Sequence, residues 1–453
     1  MIHIADKHIA VIGAARSGLA AARLLTEKGA DIFVSDSGQI RPEIKNKLAD
    51  NNIAFEENHH SSRAKEVDMA VVSPGVPDHA DIIKYYRETG IPVYSEIEAA
   101  SWFNKSPIIA VTGSNGKTTV TSWMAHTWHT AGKPYLLAGN IGLAFSDMIH
   151  KTEPGTTVIL EVSSFQLDHI HSFRPDVSVI LNITPDHLDR YQNRFENYIQ
   201  SKFRITKNQQ AEDIFIYNHE DPVLQRRVKE LRNLPFHPRL LGYSDRRELH
   251  QGAFVRNNEI IFKLRNSEQR LMNTEDIKLP GRHNLNNSLA TALAARVSEI
   301  RNEAIRESLK TFEGVEHRLE LVSIKDGVRF INDSKATNIN AAWFALDSFN
   351  MPIVLILGGR DKGNDYTALK DQILEKVHTI IAIGEARETI KEQIGNLTPD
   401  FKETDTLQEA VILGKKKAKR GEIVLLSPAC ASFDMFDSYE HRGNVFKKAV
   451  HDL

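Results

Sequence analysis

A chain of 453 residues is long enough for about three domains of roughly 150 residues, each with its own buried core. Its 57 Lys and Arg against 59 Asp and Glu leave a formal charge of -2, which argues against nucleic acid or an anionic membrane as partner and makes any anion selectivity local. The one cysteine, Cys430, excludes an intramolecular disulfide. The N-terminus has neither the basic start nor the apolar core of a signal peptide, and apolar runs such as Met351 to Leu357 fall far short of the ~20 residues of a membrane span, so a cytoplasmic protein is expected.

Residues 1–97 read as a Rossmann-like domain. Lys7 to Gly13 gives a short buried strand, Arg16 to Lys28 carries helical spacing until Gly29, and Asp31 to Asp36 gives a second strand ending in an acidic residue placed to hold a ribose. The turn Gly13-Ala-Ala-Arg-Ser-Gly18 has Ala15 where G-x-G-x-x-G needs its middle glycine, which weakens any reading of a nicotinamide dinucleotide. Met69 to Gly75 is another strand entering a turn, so Gly75 shares a sheet edge with Gly13 and Asp36. That edge suits a uridine diphosphate or is simply a structural turn.

Residues 98–314 form the central, ATP-binding domain of this reading. The run Ile108-Ile-Ala-Val-Thr-Gly-Ser-Asn-Gly-Lys-Thr-Thr119 is a β-branched strand opening into a glycine-containing turn and then a helix. It reads as a phosphate cradle: Gly113, Ser114, Asn115 and Gly116 surround the phosphates, Lys117 supplies charge, and Thr118 and Thr119 open the helix, with the Thr118 hydroxyl in reach of Mg²⁺. The loop is a shortened relative of the standard pattern, whose first glycine falls at Val111. Glu161 is the single carboxylate within the apolar strand Thr157 to Ser164 and needs a cation, either Mg²⁺ or a Lys or Arg. His187 follows the strand Val177 to Thr184, and Lys202 lies in a helical stretch; alone, His187 reads sooner as a solvated or structural side chain and Lys202 as a solvated one. Gly252 to Leu264 alternates like a hairpin around Asn257-Asn258 and carries no chemistry that can be named. The amides of Leu279 to Asn287 either contact adenine or cap the helix that follows.

Residues 315–453 form a third, again Rossmann-like, domain. Three strand-to-loop stretches, Val328 to Lys335, Ile353 to Lys362 and Ile423 to Pro428 with Ala429 to Ser432, each place polar residues just past an apolar strand, among them Asp333, Lys335, Lys362 and Ser432. Ligands of open α/β sheets bind at that edge, and two lysines there suggest an anionic second substrate.

The strings NDSKATN at Asn332 to Asn338, SPACASFDMF at Ser427 to Phe436 and HRGNVF at His441 to Phe446, taken with the phosphate loop, make the chain resemble the Mur ligase family of peptidoglycan precursor synthesis, from about Val11 to about Phe446. The resemblance implies a monomeric enzyme that phosphorylates the carboxylate of UDP-N-acetylmuramoyl-L-alanine with ATP and couples the acyl phosphate to the amine of D-glutamate. It implies Mg²⁺ ions held by Thr118, Glu161, His187 and Lys202, the last as a carbamate formed with CO₂. Asn284, Asn287, Arg318 and Asp333 would contact ATP, with Lys335 at the reacting groups. Arg16, Ser17, Asp36, Ser37 and Gly75 would line the uridine site, with Asn140 and Ser163 further along the same substrate. Thr337, Lys362, Ser432, Phe433 and Tyr439 would form the D-glutamate pocket. Two other readings stay open: a sister ligase that adds another amino acid or extends a folate with glutamate, against which NDSKATN argues, and an ATP-binding switch protein that ligates nothing.

Overall fold

The computed structural model describes residues 3–361 and 363–453. Twenty strands form three sheets. The first holds β1 (His8–Ile12), β2 (Asp31–Ser35), β3 (Ala54–Glu56), β4 (Met69–Val72) and β5 (Val93–Ser95), all parallel, in the order β3-β2-β1-β4-β5. Alternation along β1 serves both faces: Ile9 and Val11 enter one apolar layer, Ala10 and Ile12 the other. The chain order reverses beside β1, so its turn and that of β4 flank the crevice where such sheets take ligands.

The second sheet contains β6 (Ile108–Thr112), β7 (Tyr135–Gly139), β8 (Thr157–Glu161), β9 (Val177–Ile180), β10 (Ile214–Asn218), β11 (Arg239–Ser244), β12 (Gly252–Arg256), β13 (Glu259–Leu264) and β14 (Ser267–Asn273), ordered β14-β13-β12-β11-β10-β9-β6-β8-β7. Its strands run parallel from β7 to β12, and β13 and β14 add an antiparallel ribbon, so the expected hairpin around Asn257-Asn258 is present. β6 is interior, between β9 and β8, which is why its apolar run is unbroken rather than alternating.

The third sheet joins β15 (Glu320–Lys325), β16 (Val328–Asn332), β17 (Ile353–Gly358), β18 (Val377–Ile383), β19 (Asp400–Glu403) and β20 (Ile423–Leu426) in the order β15-β16-β20-β17-β18-β19, with only β15 antiparallel. Three α/β sheets agree with the expected fold class. The first two lie in one compact unit, Met1–Ile277 with Asn286–Thr311, and the third in a second, Lys278–Leu285 with Phe312–Leu453. No helix among the described residues is long and apolar enough to cross a membrane.

Two close approaches fix the turns that matter. A Cβ on Gly18 would lie 1.9 Å from the Gly13 carbonyl oxygen, so the helix Arg16–Glu27 packs on the β1 turn only through a glycine. Gly139, at φ +103°, would bring a Cβ to 2.3 Å from the Glu161 carbonyl oxygen. Glu96, in the short helix Glu96–Ser101, is fully buried; its Oε1 accepts from the Ser146 N–H at 2.6 Å and its Oε2 has no partner. Burial pushes its carboxyl up to about 7 from 4.5, against the opposing Ser146 bonds.

Between those two values the native state keeps a proton that the unfolded chain has released, so stability falls as pH rises through the window and levels off above it. Thermal unfolding at about pH 5 and about pH 8 should show a drop in Tm for the wild type, and Glu96→Gln should reduce that drop.

Candidate active site

The phosphate loop leaves β6 and enters the helix Lys117–Thr130 through Gly116, which takes φ +86°. A Cβ there would lie 2.8 Å from Asn287 Oδ1, so glycine is required by both backbone and space. The loop is tied to the exit of β9. Ser114 N–H donates to Asn182 O (2.9 Å), Asn115 N–H to Asn182 Oδ1 (2.9 Å), and Ser114 Oγ to Thr184 O (2.9 Å). The Ser114 and Asn115 amides therefore hold the loop's shape. At the start of the helix the Val120 N–H returns to Gly116 O at 3.0 Å.

Two amines converge on one carbonyl. Lys117 Nζ donates to Gly113 O and Ser114 O, both at 2.8 Å, and Lys202 Nζ donates to the same Gly113 O at 2.9 Å. Lys202 is buried, with its amine 4.6 Å from the centre of the Tyr198 ring. Burial first, and then the charge of Lys117, hold its pKa well below that of an ordinary lysine, against the opposing pull of Asp186, Asp168 and Glu161. A solvated Lys202, one of the two readings its sequence allowed, is thereby excluded.

Glu161 ends β8 beside β6, in register with Val111 and Gly139. Its Oε1 accepts from Asn140 Nδ2 at 2.9 Å and its Oε2 is buried without a partner. Asn140 also donates its N–H to Glu161 O at 2.8 Å, so in this structure it positions the carboxylate. Thr118 is buried at the helix start. His187, at φ 52°, precedes the 3₁₀ turn Leu188–Tyr191; its ring packs on Phe165 at 5.2 Å and its Nε2 lies 3.7 Å from Asp186 Oδ2. Among the described residues no group of three or more His, Cys, Asp or Glu is poised to hold a metal.

The helix Phe195–Phe203 that carries Lys202 is held by a buried polar relay. Tyr191 OH donates to Asp168 Oδ2 (2.9 Å) and lies 3.2 Å from Ser201 Oγ, which donates to Ser164 O (2.9 Å). Ser163 closes a capping box with Gln166 at the start of the helix Ser164–Leu167, a local task beside the substrate role expected for it.

At the first sheet's edge, Asp36 accepts from Ala14 N–H (2.7 Å) and Gly38 N–H (2.8 Å), so its carboxylate already shapes the Gly13 turn. Arg16 donates to Gly142 O at 2.6 Å, Ser17 sits in the first turn of its helix, and Ser37 is exposed beside Asp36. Gly75 O accepts from Arg190, a residue that no motif in the sequence singles out.

The second unit has its own polar edge. Asp333 follows β16 and is buried, accepting from Ser427 Oγ at 2.8 Å; burial raises its carboxyl to about 7 although Arg318 and that bond act against the rise. Lys335 donates to Tyr439 OH at 3.3 Å and lies over that ring at 5.1 Å. Asn284 donates to Pro280 O, and its neighbour His283 is driven down to about 3 by burial and Arg318. Thr337 is half-buried before the helix Ile339–Asp347, Ser432 is buried, and Phe433 is 64% exposed. Lys362 lies outside the described residues. Arg442 carries no signal of its own in the sequence beyond its place in the string HRGNVF. It is fully buried and donates to Ser334 Oγ and O, Cys430 O and Ala431 O at 2.7–3.3 Å, joining the loops after β16 and β20.

These features define an α/β nucleotide-binding protein with a phosphate loop at an interior strand and further polar strand ends on the other two sheets. Family models match it in three places: the MurD N-terminal domain at residues 8–82, the Mur ligase middle domain at 111–295 and the Mur ligase, glutamate ligase domain at 317–430. The chain is 46% identical to the UDP-N-acetylmuramoylalanine--D-glutamate ligase of Salinibacter ruber, over 98% of this chain and 97% of that one. It is 43% identical to the ligase of the same name from Christiangramia forsetii, over 99% and 100%. Among solved structures, UDP-N-acetylmuramate-alanine ligase MurC from Thermotoga maritima shares the fold at a TM-score of 0.60 and 18% identity, over 98% of this chain and 99% of that one. The chain belongs to the Mur ligase family.

Lys117→Ala removes the amine that lies along the loop and should lower turnover about 10²–10³-fold, the loss typical of one transition-state donor. Steady-state assays check it, and near wild-type turnover would take the loop out of the chemistry.

Proposed function

We propose that the protein is an ATP-dependent ligase that adds D-glutamate to UDP-N-acetylmuramoyl-L-alanine through an acyl phosphate, acting as a cytoplasmic monomer. The observation that carries this is the convergence of Lys117 and Lys202 on Gly113 O beside a half-partnered Glu161. Phosphoryl transfer from ATP to a carboxylate brings anions together, and cationic and hydrogen-bonding groups must offset their repulsion. A carboxylate oxygen attacks the γ-phosphorus as the bond to ADP breaks; the amine nitrogen of D-glutamate then attacks the acyl carbon, phosphate leaves, and the amine gives up a proton. The choice of D-glutamate is supported by the names of the relatives that match along the whole chain.

In this reading residues 1–97 bind the uridine nucleotide through Arg16, Ser17, Asp36, Ser37 and Gly75, with Asn140 and Ser163 placed along the same substrate. Residues 98–314 bind ATP through the loop from Gly113 to Thr119, with Asn284 and Asn287. Residues 315–453 receive the amino acid through Thr337, Lys362, Ser432, Phe433 and Tyr439, and Arg318, Asp333 and Lys335 serve ATP and the reacting groups. Glu161 Oε2, the Thr118 hydroxyl and His187 are donors that Mg²⁺ accepts, and they fit it because the buried Oε2 otherwise stays unpaired. Bound there, Mg²⁺ would supply positive charge to phosphate oxygens. Lys202 adds an anionic oxygen donor once its amine takes up CO₂: the nitrogen–carbon bond forms, one proton leaves, and a carbamate results. The neutral amine is the form able to make that attack, and burial shifts Lys202 in its favour.

Phosphate release with Mg-ATP and UDP-N-acetylmuramoyl-L-alanine, scanning amino acids one at a time, tests the function. Release that requires D-glutamate, with the coupled product seen by mass spectrometry, is expected; release with another amino acid would change the acceptor, and release with none would favour a nucleotide switch. Lys202→Ala should be nearly inactive and partly rescued by a short carboxylic acid, which restores the missing carboxylate. Normal activity in that variant would refute the role of Lys202.

A further inference from the structure

Arg190 stands on the turn Leu188–Tyr191, next to His187, and reaches the turn that follows β4. Its Nη1 donates to Gly75 O (3.1 Å), and its Nη2 donates to Pro74 O (3.1 Å) and Val76 O (3.0 Å). The guanidinium is backed by the Phe165 ring, 4.4 Å from its centre, and the Arg190 N–H donates to His187 O at 3.0 Å. Three consecutive carbonyls thus face one permanent cation.

That arrangement fixes where the turn's donors point. Across a planar trans peptide the carbonyl and the following N–H point in opposite directions, so with Pro74 O turned to Arg190 the Gly75 N–H is aimed away from it. Pro74 has no N–H, and the Val76 N–H donates to Ser73 O at 3.0 Å. Gly75 is exposed and nothing lies within 4 Å of where its Cβ would be, so an anion can approach this amide closely. Ser73 Oγ donates to Gly13 O at 2.7 Å, which ties this turn to the other one at the same sheet edge.

We infer that Arg190 is a positioning residue for the uridine substrate: by holding the carbonyls of Pro74, Gly75 and Val76 it directs the Gly75 amide at the diphosphate. Through its own backbone it also links that turn to the loop bearing His187. The inference rests on the ligase reading, and the test separates the two. UDP and ADP binding are measured by calorimetry on the wild type, Arg190→Ala and Arg190→Lys, together with KM for the uridine substrate and for ATP. Arg190→Ala should weaken UDP binding and raise the uridine-substrate KM by about tenfold or more, as expected for losing a charged hydrogen-bonding anchor, while ADP binding and the ATP KM stay unchanged. Arg190→Lys should recover only part, because an ammonium lacks the planar fork that spans three carbonyls. Should the alanine variant not fold, the lysine variant is read by the same UDP-to-ADP split. Unchanged UDP affinity in the variants, or an equal fall for UDP and ADP, overturns the inference and leaves the ligase reading standing. A wild type that binds ADP but no uridine nucleotide overturns the substrate assignment, and this inference with it.

Discussion

The carbonyl oxygen of Gly113 accepts from the side-chain amines of both Lys117 and Lys202, and much of the central site follows from that sharing. Two like charges on one acceptor repel, and in a buried setting the repulsion is poorly screened. Lys202 sits where burial first, and then the charge of Lys117, hold its pKa well below that of an ordinary lysine. Keeping it there requires the relay of Asp168, Tyr191 and Ser201 to pin its helix, and Asn182 to pin the loop from the other side. Glu161 completes the arrangement from β8, with one oxygen fixed by Asn140 and the other left for a cation.

Each compact unit also uses a guanidinium to shape a loop at a sheet edge. Arg190 gathers the carbonyls of the β4 turn, and Arg442 gathers those of Ser334, Cys430 and Ala431. Planar and multiply donating, arginine can hold several carbonyls at once in a fixed fork that a lysine lacks. Burial lowers the pKa of Arg442 to about 10, which still leaves it charged near neutral pH. Backbone held this way costs no substrate-facing side chain, and an exposed residue such as Gly75 keeps its amide available to a ligand.

Several residues carry a local structural task beside the role their motif suggests. Asp36 sits where a ribose hydroxyl is held in related turns, yet both its oxygens accept from backbone amides of its own domain. Ser114 and Asn115 belong to the phosphate loop by pattern, yet their amides bond to Asn182. In each case the polar group stabilises the turn that carries the functional one, because buried backbone N–H groups must be satisfied before a ligand arrives.

What the sequence determined by itself was whatever depends on local pattern. Apolar runs ending in glycine or a polar residue marked β1, β6, β8, β9, β16, β17 and β20, and the spacing of Gly113, Gly116 and Lys117 marked the phosphate loop. The strings near Asn332, Ser427 and His441 were enough to point to the family. Tertiary structure alone decided that Lys202 is buried against Lys117, that Arg190 reaches 114 to 116 residues back to the β4 turn, and that Arg442 bridges two loops. Those contacts join positions far apart in the chain, and no periodicity records them: the side chains look like ordinary solvated cations until packing brings backbone carbonyl oxygens to them.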